Sequence, residues 1–290
     1  MTAVSGEARV LSAPAKVNLC LFLGETRDDG LHDICSVFAP IGLADRLTVS
    51  EASGDADEVD CPGVDQPDLT ARALAALRDA GWRRAPLRIE VDKRIPVAAG
   101  LGGGSADAAA VLRLAAGDLP DDQLMRIAAS LGADVPSQIR PEFSLVSGAG
   151  EWVTPLPEPD PFALVLLPDP VGLSTPEVFA EADRLGLPRP EAEIAERRSE
   201  LAAALASGGS PLELEDLLVN DLQTAALSLR PEIGEALEAL ESAGASVVRV
   251  TGSGPTAFGL FPTKDEAERA AMEIEAGGRQ AIVARSGSER

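Results

Sequence analysis

The chain has few cysteines and no long hydrophobic run, and both shortages exclude whole classes of protein. Its 290 residues include 3 cysteines, Cys20, Cys35 and Cys61, at wide spacing and without a CxxC pair. An odd, widely spaced set argues against a disulfide framework and against a zinc site. The longest purely apolar runs are about six residues, whereas a membrane span needs roughly 20. We therefore expect no membrane partner.

Positive charge is also scarce. The chain has 25 lysines and arginines against 47 aspartates and glutamates, a formal net charge of -22. Such a surface repels nucleic acid and anionic membranes, so we expect no nucleic-acid partner.

Residues 1–15 lack a basic region followed by an apolar core, which predicts no signal peptide and a cytoplasmic protein. A site for an anionic substrate must gather local positive charge; Lys93 and Arg94 could supply it, or could be solvated charges at a strand end.

Lysine, histidine and tyrosine are nearly absent. The chain has three lysines (Lys16, Lys93 and Lys264), one histidine (His32) and no tyrosine. Where arginine is so strongly favoured, a retained lysine indicates a need for a compact ammonium group, although Lys16 could equally be an ordinary exposed residue. His32 follows a turn closely and could reach a ligand, or could be a surface residue.

Glycine, by contrast, is concentrated in one loop, residues Pro96–Ala106, which we call the glycine loop. Four of its glycines fall within five positions. The alternating stretch Leu87–Asp92 predicts a strand before the loop, and Ser105 is predicted to cap a helix over Ala106–Ala116 after it. A strand that turns through glycines into a helix start presents free N–H groups and partial positive charge to a phosphate. The alternative is a flexible connection. Neither of two familiar phosphate-binding patterns fits, because position 105 is serine, where the Walker loop requires lysine and the dinucleotide fingerprint requires glycine.

Two other turns carry candidate chemistry. Gly132 should end a helix and Pro136 should hold Val135 extended, which fixes Asp134 on a short turn. A carboxylate held there could take a proton from a hydroxyl or orient it, or could simply bond its own backbone. The second glycine turn, Thr251–Thr256, is either a plain hairpin or a second backbone contact to phosphates.

The hydrophobic periodicity predicts an α+β protein built of two sandwiches. Four prolines in Pro155–Pro161 mark a boundary between domains 1–155 and 156–290. Strands precede helices in the first domain. The second reads strand, helices, strand, strand, helix, strand, which is typical of a ferredoxin-like arrangement. The remaining predicted elements are strands at Arg9–Ser12, Lys16–Leu23, Arg46–Glu51 and Phe143–Ser147, a loop at Ser53–Asp68, and helices from Asp68, from Asp121, at 191–206 and at 212–229.

Several of these motifs, in the same order, resemble the GHMP small-molecule kinases. They are Pro14–Leu19 followed by Asp29–His32, then Pro96–Ala110, Gly132–Pro136 and Thr251–Thr256. The resemblance implies a two-domain GHMP kinase-like fold, with an N-terminal ATP-binding α/β sandwich and a C-terminal ferredoxin-like domain. It also implies ATP-dependent phosphorylation of the 2-hydroxyl of a cytidine diphosphate-linked methylerythritol in non-mevalonate isoprenoid synthesis, by a monomer or homodimer.

The resemblance also assigns roles to residues. Asp134 would be the catalytic base, with Lys16 beside it, and Ser105 would lie near the phosphates and their Mg²⁺. Asn18, His32 and Phe179 would bind the substrate, His32 at the cytosine edge and Phe179 stacked on the base. ATP would be held by the whole loop: Pro96, Val97, Ala98, Ala99, Gly100, Leu101, Gly102, Gly103, Gly104, Ser105 and Ala106.

One residue departs from the family pattern. Leu31 stands where the family commonly has tyrosine on the other side of the cytosine. Leucine can cover a base but lacks the aromatic geometry, worth roughly 0.5–1.5 kcal/mol.

Other alcohols, such as mevalonate or homoserine, remain alternative substrates. A nucleotide-binding regulator without catalysis and a purely structural protein are the alternatives outside enzymes.

Overall fold

The computed structural model describes residues 8–287; residues 1–7, within the segment where no signal peptide is predicted, and 288–290 lie outside it. The strands are β1 (Arg9–Thr26), β2 (His32–Glu51), β3 (Glu58–Asp60), β4 (Leu87–Asp92), β5 (Ser144–Gly148), β6 (Trp152–Pro155), β7 (Ala163–Leu167), β8 (Val247–Val250), β9 (Ala257–Phe261) and β10 (Ile282–Arg285). The α-helices are α1 (Leu69–Asp79), α2 (Gly103–Leu112), α3 (Asp121–Leu131), α4 (Val135–Ile139), α5 (Thr175–Leu185), α6 (Glu191–Leu205), α7 (Leu222–Leu229), α8 (Ile233–Ser242) and α9 (Lys264–Ala276).

Two compact units make up the described chain. Unit 1 holds residues up to Ala15, Leu43–Val97 and Gly102–Arg140. Unit 2 holds Lys16–Gly42, Ala98–Leu101 and the chain from Pro141 onward. Neither unit is a continuous half of the chain, because the long strands β1 and β2 each contribute to both. The division into sequence domains 1–155 and 156–290 stays a prediction.

Helix α2 forms the centre of unit 1. Its residues from Ala106 to Leu112 are all buried, and all but Asp107 are apolar. A helix with so little polar surface belongs in a core. Around it pack α1, α3, α4 and the sheet in which β4 pairs antiparallel with the second part of β2 and parallel with β3. The start of α2, which forms the last part of the glycine loop, is therefore fixed by this core.

Unit 2 contains the predicted ferredoxin-like sheet. Its strand order is β10-β7-β9-β8, with every neighbouring pair antiparallel. Helices α7, α8 and α9 contribute to the core on this sheet. The first part of β2 pairs with β5, which pairs with β6. The α+β class and the ferredoxin-like second part are thus confirmed.

Some predicted elements are wrong in detail. β1 is one strand and not two: Pro14 lies inside a strand that runs without a break from Arg9 to Thr26 and pairs with β2. Proline is tolerated in a strand where no ladder hydrogen bond requires its missing N–H. The acidic loop contains β3. The helix predicted over 212–229 begins only at Leu222, after a 3₁₀ turn at Pro211–Glu213. Strand β6 and helix α5 were not predicted.

Candidate active site

Helix α2 begins at Gly103 and not at Ala106 as predicted. Gly102 is its N-cap, with φ 71° and ψ 17°, a left-handed conformation that glycine adopts without strain. The N–H of Ala106 donates to the carbonyl of Gly102 at 2.9 Å and closes the first turn. The prediction that Ser105 caps the helix is therefore wrong: the positive φ of Gly102 starts the helix earlier and places Ser105 inside its first turn.

The first turn of α2 fits a phosphate group. The N–H groups at a helix start have no intrahelical acceptor, and Gly102 supplies no side-chain cap. Gly104 is exposed, and Gly103 and Ser105 are half-buried. These donors, together with the positive end of the helix dipole, suit an anion such as the triphosphate of ATP.

A buried cluster of charges lies under this helix start. The Lys93 ammonium donates to Asp45 Oδ2 at 2.5 Å and to Asp107 Oδ2 at 2.8 Å. Asp45 Oδ1 also accepts the N–H groups of Arg94 and Ile95, at 2.5 and 2.8 Å. Lys93 is therefore neither a solvated charge nor available to a phosphate; it joins the end of β4 to α2.

The cluster changes the titration of its members. Burial raises the pKa of Asp107 to about 7, with Lys93 opposing the rise and Asp45 adding to it. Burial acts against the charge of Lys93, but Asp107 and Asp45 outweigh it and raise the pKa of the ammonium. Within residues 8–287, Asp107 Oδ1 is buried without a hydrogen-bond partner. Asp45 and Asp107 were missed by the sequence analysis, although one acidic residue inside an alanine-rich helix was a usable signal.

Lys16, Asn18 and Gly100 come together in unit 2. The Lys16 ammonium, whose residue is 5% exposed, donates to Asn18 Oδ1 at 2.6 Å and to the Gly100 carbonyl at 3.4 Å. It also lies 4.7 Å from the centre of the Phe38 ring. Asn18 Nδ2 donates to Ser36 Oγ at 2.9 Å. The predicted catalytic lysine is thus held in place beside the backbone of the glycine loop. The alternative interpretation, that Lys16 is an ordinary exposed residue, is wrong.

The second glycine turn is a hairpin between β8 and β9. Its Thr251 N–H donates to the Thr256 carbonyl at 3.0 Å, and Thr251 Oγ1 accepts the N–H of Asn18 at 2.9 Å. Asn220, which the sequence analysis missed, donates from Nδ2 to the carbonyls of Val250 and Gly252 at 2.7 and 2.8 Å. The turn is thereby tied to the strand that carries Lys16.

The glycine loop touches this turn at Gly100. A Cβ at Gly100 would lie 2.8 Å from the Gly254 carbonyl oxygen and 3.0 Å from that of Thr251. Gly100 also has φ +77°. Only glycine allows this conformation and this approach together.

His32 and Phe179, the predicted base-binding pair, are neighbours in unit 2. Their ring centres are 5.2 Å apart and their planes are inclined by 47°. Phe179 lies on α5, whose first residue Thr175 bonds Ser253 through the two hydroxyls at 2.9 Å. The helix could have been found from the sequence, because Pro176 sits in its first turn, where proline is favoured. Leu31 is 54% exposed.

Asp134 lies in unit 1, at the N-terminal end of α4. Its backbone is helical, with φ -85° and ψ -15°, and it is half-buried. The prediction that Val135 is extended is wrong: Pro136 falls in the first turn of α4, where its missing N–H is not needed. Val135 packs in the same core as α2, which fixes the backbone of Asp134.

The remaining candidate features do not add a site. Cys20, Cys35 and Cys61 are free and buried, and burial raises the pKa of each thiol. Across residues 8–287, no group of three or more His, Cys, Asp or Glu residues is arranged to hold a metal ion. Over the same range, no helix has the length and apolar character to cross a membrane.

Comparison with known proteins gives consistent matches. The N-terminal domain of GHMP kinases matches residues 68–140, and the C-terminal domain of GHMP kinases matches residues 198–280. The chain is 42% identical to 4-diphosphocytidyl-2-C-methyl-D-erythritol kinase of Thermobifida fusca (strain YX), over 91% of each chain. It is 41% identical to the enzyme of that name from Nocardia farcinica (strain IFM 10152), over 96% of this chain and 91% of that one. A crystal structure of 4-(cytidine 5'-diphospho)-2C-methyl-D-erythritol kinase superposes with a TM-score of 0.78 at 33% identity, covering 97% of this chain and 100% of the other.

Proposed function

Because the chain belongs to the 4-diphosphocytidyl-2-C-methyl-D-erythritol kinases of the GHMP family, we propose that it transfers the γ-phosphate of ATP to the 2-hydroxyl of that compound. This is a step of non-mevalonate isoprenoid precursor synthesis. The observation that supports it best is the start of α2 within the glycine loop, where no side chain caps the first-turn N–H groups. That arrangement offers backbone N–H donors to a phosphate. Phosphoryl transfer is catalysed mainly by such positioning and charge stabilisation, because the protein has little covalent chemistry to perform.

ATP would be bound by the glycine loop, residues Pro96–Ala106. The first-turn amides of α2 would hold phosphate oxygens, and the Ser105 hydroxyl would be the protein's contact to Mg²⁺. One protein ligand is compatible with this ion, which is often held by few side chains together with substrate phosphates. When bound, Mg²⁺ neutralises charge on those phosphates.

Asp134 would act on the alcohol. The substrate oxygen forms a bond to the γ-phosphorus, the bond from that phosphorus to the β–γ bridging oxygen breaks, and ADP leaves. The Asp134 carboxylate would accept the proton of the hydroxyl, or would orient the hydroxyl for attack. Lys16 would support the same hydroxyl with its ammonium, which Asn18 and Gly100 already hold.

His32 and Phe179 would bind the cytidine end of the substrate. The two rings lie within contact distance and can offer a π-face and a hydrogen-bonding edge to a base. Mevalonate and homoserine carry no base. The pair therefore favours a nucleotide-linked alcohol as the substrate. Asn18 would contribute as well, through an amide that already bonds Lys16 and Ser36.

The first test replaces Asp134 with asparagine. We expect Asp134→Asn to lower kcat about 10²- to 10⁴-fold, the usual contribution of a general base. The dissociation constant of ATP should stay close to that of the unchanged protein. ADP release would be followed in a coupled assay with the cytidylyl alcohol, mevalonate and homoserine as acceptors, and ATP binding by calorimetry.

Exposed Asp79, at the end of α1, provides the control for lost charge, and Asp79→Asn should leave both measurements unchanged. Equal loss of turnover and ATP binding in Asp134→Asn would mean that Asp134 is structural. Release of ADP with none of the acceptors would contradict the kinase assignment, and release only with mevalonate or homoserine would contradict the substrate.

A further inference from the structure

The imidazole of His32 is held by more than its aromatic neighbour. His32 is 9% exposed. Its Nε2 lies 2.8 Å from Asp183 Oδ1 and 3.1 Å from Thr26 Oγ1. Among residues 8–287, no hydrogen bond involves its Nδ1. One ring nitrogen is therefore engaged by the protein, and the other is left to a ligand.

Helix α5 delivers the carboxylate and the aromatic ring together. Phe179 and Asp183 are four residues apart on α5, so they share one face of the helix. That face meets His32 from one side, while Thr26 approaches Nε2 from β1. Asp183 contacts the base-reading residue and lies outside every role that the sequence analysis assigned.

The chemistry of Asp183 decides which nitrogen of His32 carries the proton. An ionised carboxylate only accepts hydrogen bonds, so Nε2 must donate to it. A neutral imidazole has one N–H, which leaves Nδ1 with a lone pair. In its neutral form His32 therefore presents an acceptor, and not a donor, to whatever binds at Nδ1.

We propose that Asp183 is a positioning residue for substrate choice, because it holds His32 in the Nε2–H form and makes Nδ1 an acceptor suited to an amino-bearing pyrimidine. Cytosine carries an amino group on C4, which donates. Uracil carries a carbonyl there, whose lone pairs oppose those of Nδ1. This inference rests on the proposed function and adds the residue that sets the preference for the base.

The protonation of His32 can be read directly, because it is the only histidine in the chain. Protein labelled with ¹⁵N-histidine would be examined by long-range ¹⁵N–¹H correlation at pH 8. We expect only the Nε2–H form in the unchanged protein and a measurable share of the Nδ1–H form in Asp183→Ala. This measurement needs no substrate.

Kinetics with matched substrates would give the second reading. The unchanged enzyme should prefer the cytidylyl alcohol to its uridylyl counterpart in kcat/KM. Asp183→Ala should raise KM for the cytidylyl compound about 5- to 10-fold with kcat within twofold, and should reduce the preference by a similar factor. Glu238→Gln, which alters an exposed carboxylate on α8, should change neither.

Three results would overturn the inference. They are an Nδ1–H form in the unchanged protein, a tautomer unaffected by Asp183→Ala, and a variant that loses kcat or stability while its base preference is unchanged. Failure of the unchanged protein to phosphorylate the cytidylyl alcohol would instead contradict the proposed function, with the tautomer result still standing.

Discussion

The two glycine-rich turns of this chain are similar in composition and opposite in use. The glycine loop leads into α2, where the first-turn amides have no side-chain cap. The second glycine turn closes on itself: the N–H groups of Thr251 and Gly254 are bonded within it, and Asn220 Nδ2 donates to the carbonyl of Gly252 in the turn and to that of Val250 just before it. A glycine turn that enters a helix presents donors, whereas one that joins two antiparallel strands uses them internally. The second turn therefore acts first as a support.

Gly100 is the point at which the support touches the glycine loop. The carbonyls of Thr251 and Gly254 leave no room for a side chain there. The carbonyl of Gly100 also accepts a hydrogen bond from Lys16 Nζ. The position of the loop thus depends on a contact between backbones, and a single methyl group can test it.

Gly100→Ala should have the largest effect of the substitutions within the two turns. Alanine at φ +77° costs about 1–2 kcal/mol, and a Cβ only 2.8 Å from a carbonyl oxygen adds roughly 1–3 kcal/mol of overpacking. We expect the free energy of unfolding to fall by about 2–5 kcal/mol and KM for ATP to rise. Urea denaturation and steady-state kinetics would measure the two effects.

Gly244 provides a matched control, since its φ is +86° and a Cβ there would meet nothing within 4 Å. Gly244→Ala should show the backbone strain alone, about 1–2 kcal/mol. If Gly100→Ala is no more destabilising than Gly244→Ala, the close approach of the loop and the turn does not matter.

Much of the fold could be predicted because its signals are local. Asp68 caps α1, Gly132 ends α3, and the alternation over Leu87–Asp92 matches β4 residue for residue. The sheet order of the ferredoxin-like part follows from the sequence of strands and helices, since few arrangements bury such elements. The start of α2 was misplaced because Ser105 is a better cap by composition than Gly102, and only the backbone angle of Gly102 reveals the earlier start.

The candidate site could be proposed from the sequence as a set of motifs but not as a set of contacts. Lys16 and Asn18 lie in one short motif, but their link to Thr251 joins residues 233 positions apart. Asp45 and Asp107 meet Lys93 from distant segments, so no spacing rule identifies the cluster. Asp183 was missed because the helix that carries it was missed. Long-range partners of this kind depend on packing that one sequence does not display.

The charge cluster under α2 predicts an unusual pH dependence of stability, with no counterpart at the second turn. Asp107 has a pKa raised to about 7, against about 3.9 in an unfolded chain. Between these values the folded protein keeps a proton that the unfolded chain releases. The contribution of this group to stability therefore falls as pH rises from about 4 to about 7 and is constant above, with a slope of at most about 1.4 kcal/mol per pH unit.

Asp107→Asn should remove this slope while keeping an oxygen for Lys93 to bond. Urea denaturation at intervals from pH 5 to pH 8 would show the unchanged protein losing stability more steeply than the variant up to about pH 7. Asp60→Asn, which alters the exposed last residue of β3, should reproduce the unchanged slope. Parallel curves for Asp107→Asn and the unchanged protein would contradict the assignment.

The smallest effect is expected two residues before Gly100, at Ala98. Ala98 has φ 55°, a left-handed conformation in a residue other than glycine, and it is exposed. Ala98→Gly should relieve about 1–2 kcal/mol of strain in the folded state. It should also make the unfolded chain more flexible, and this added entropy lowers the free energy of unfolding by roughly 0.4–1 kcal/mol. The free energy of unfolding should then change by between about 0 and +1.6 kcal/mol, as urea denaturation would show. Ala99, buried and adjacent, gives the contrast: Ala99→Gly loses a packed methyl group and gains the same unfolded-state entropy, so it should destabilise. Equal destabilisation by both substitutions would mean that the left-handed Ala98 stores no strain, and that the glycine loop is held at Gly100 without tension in the residues that lead to it.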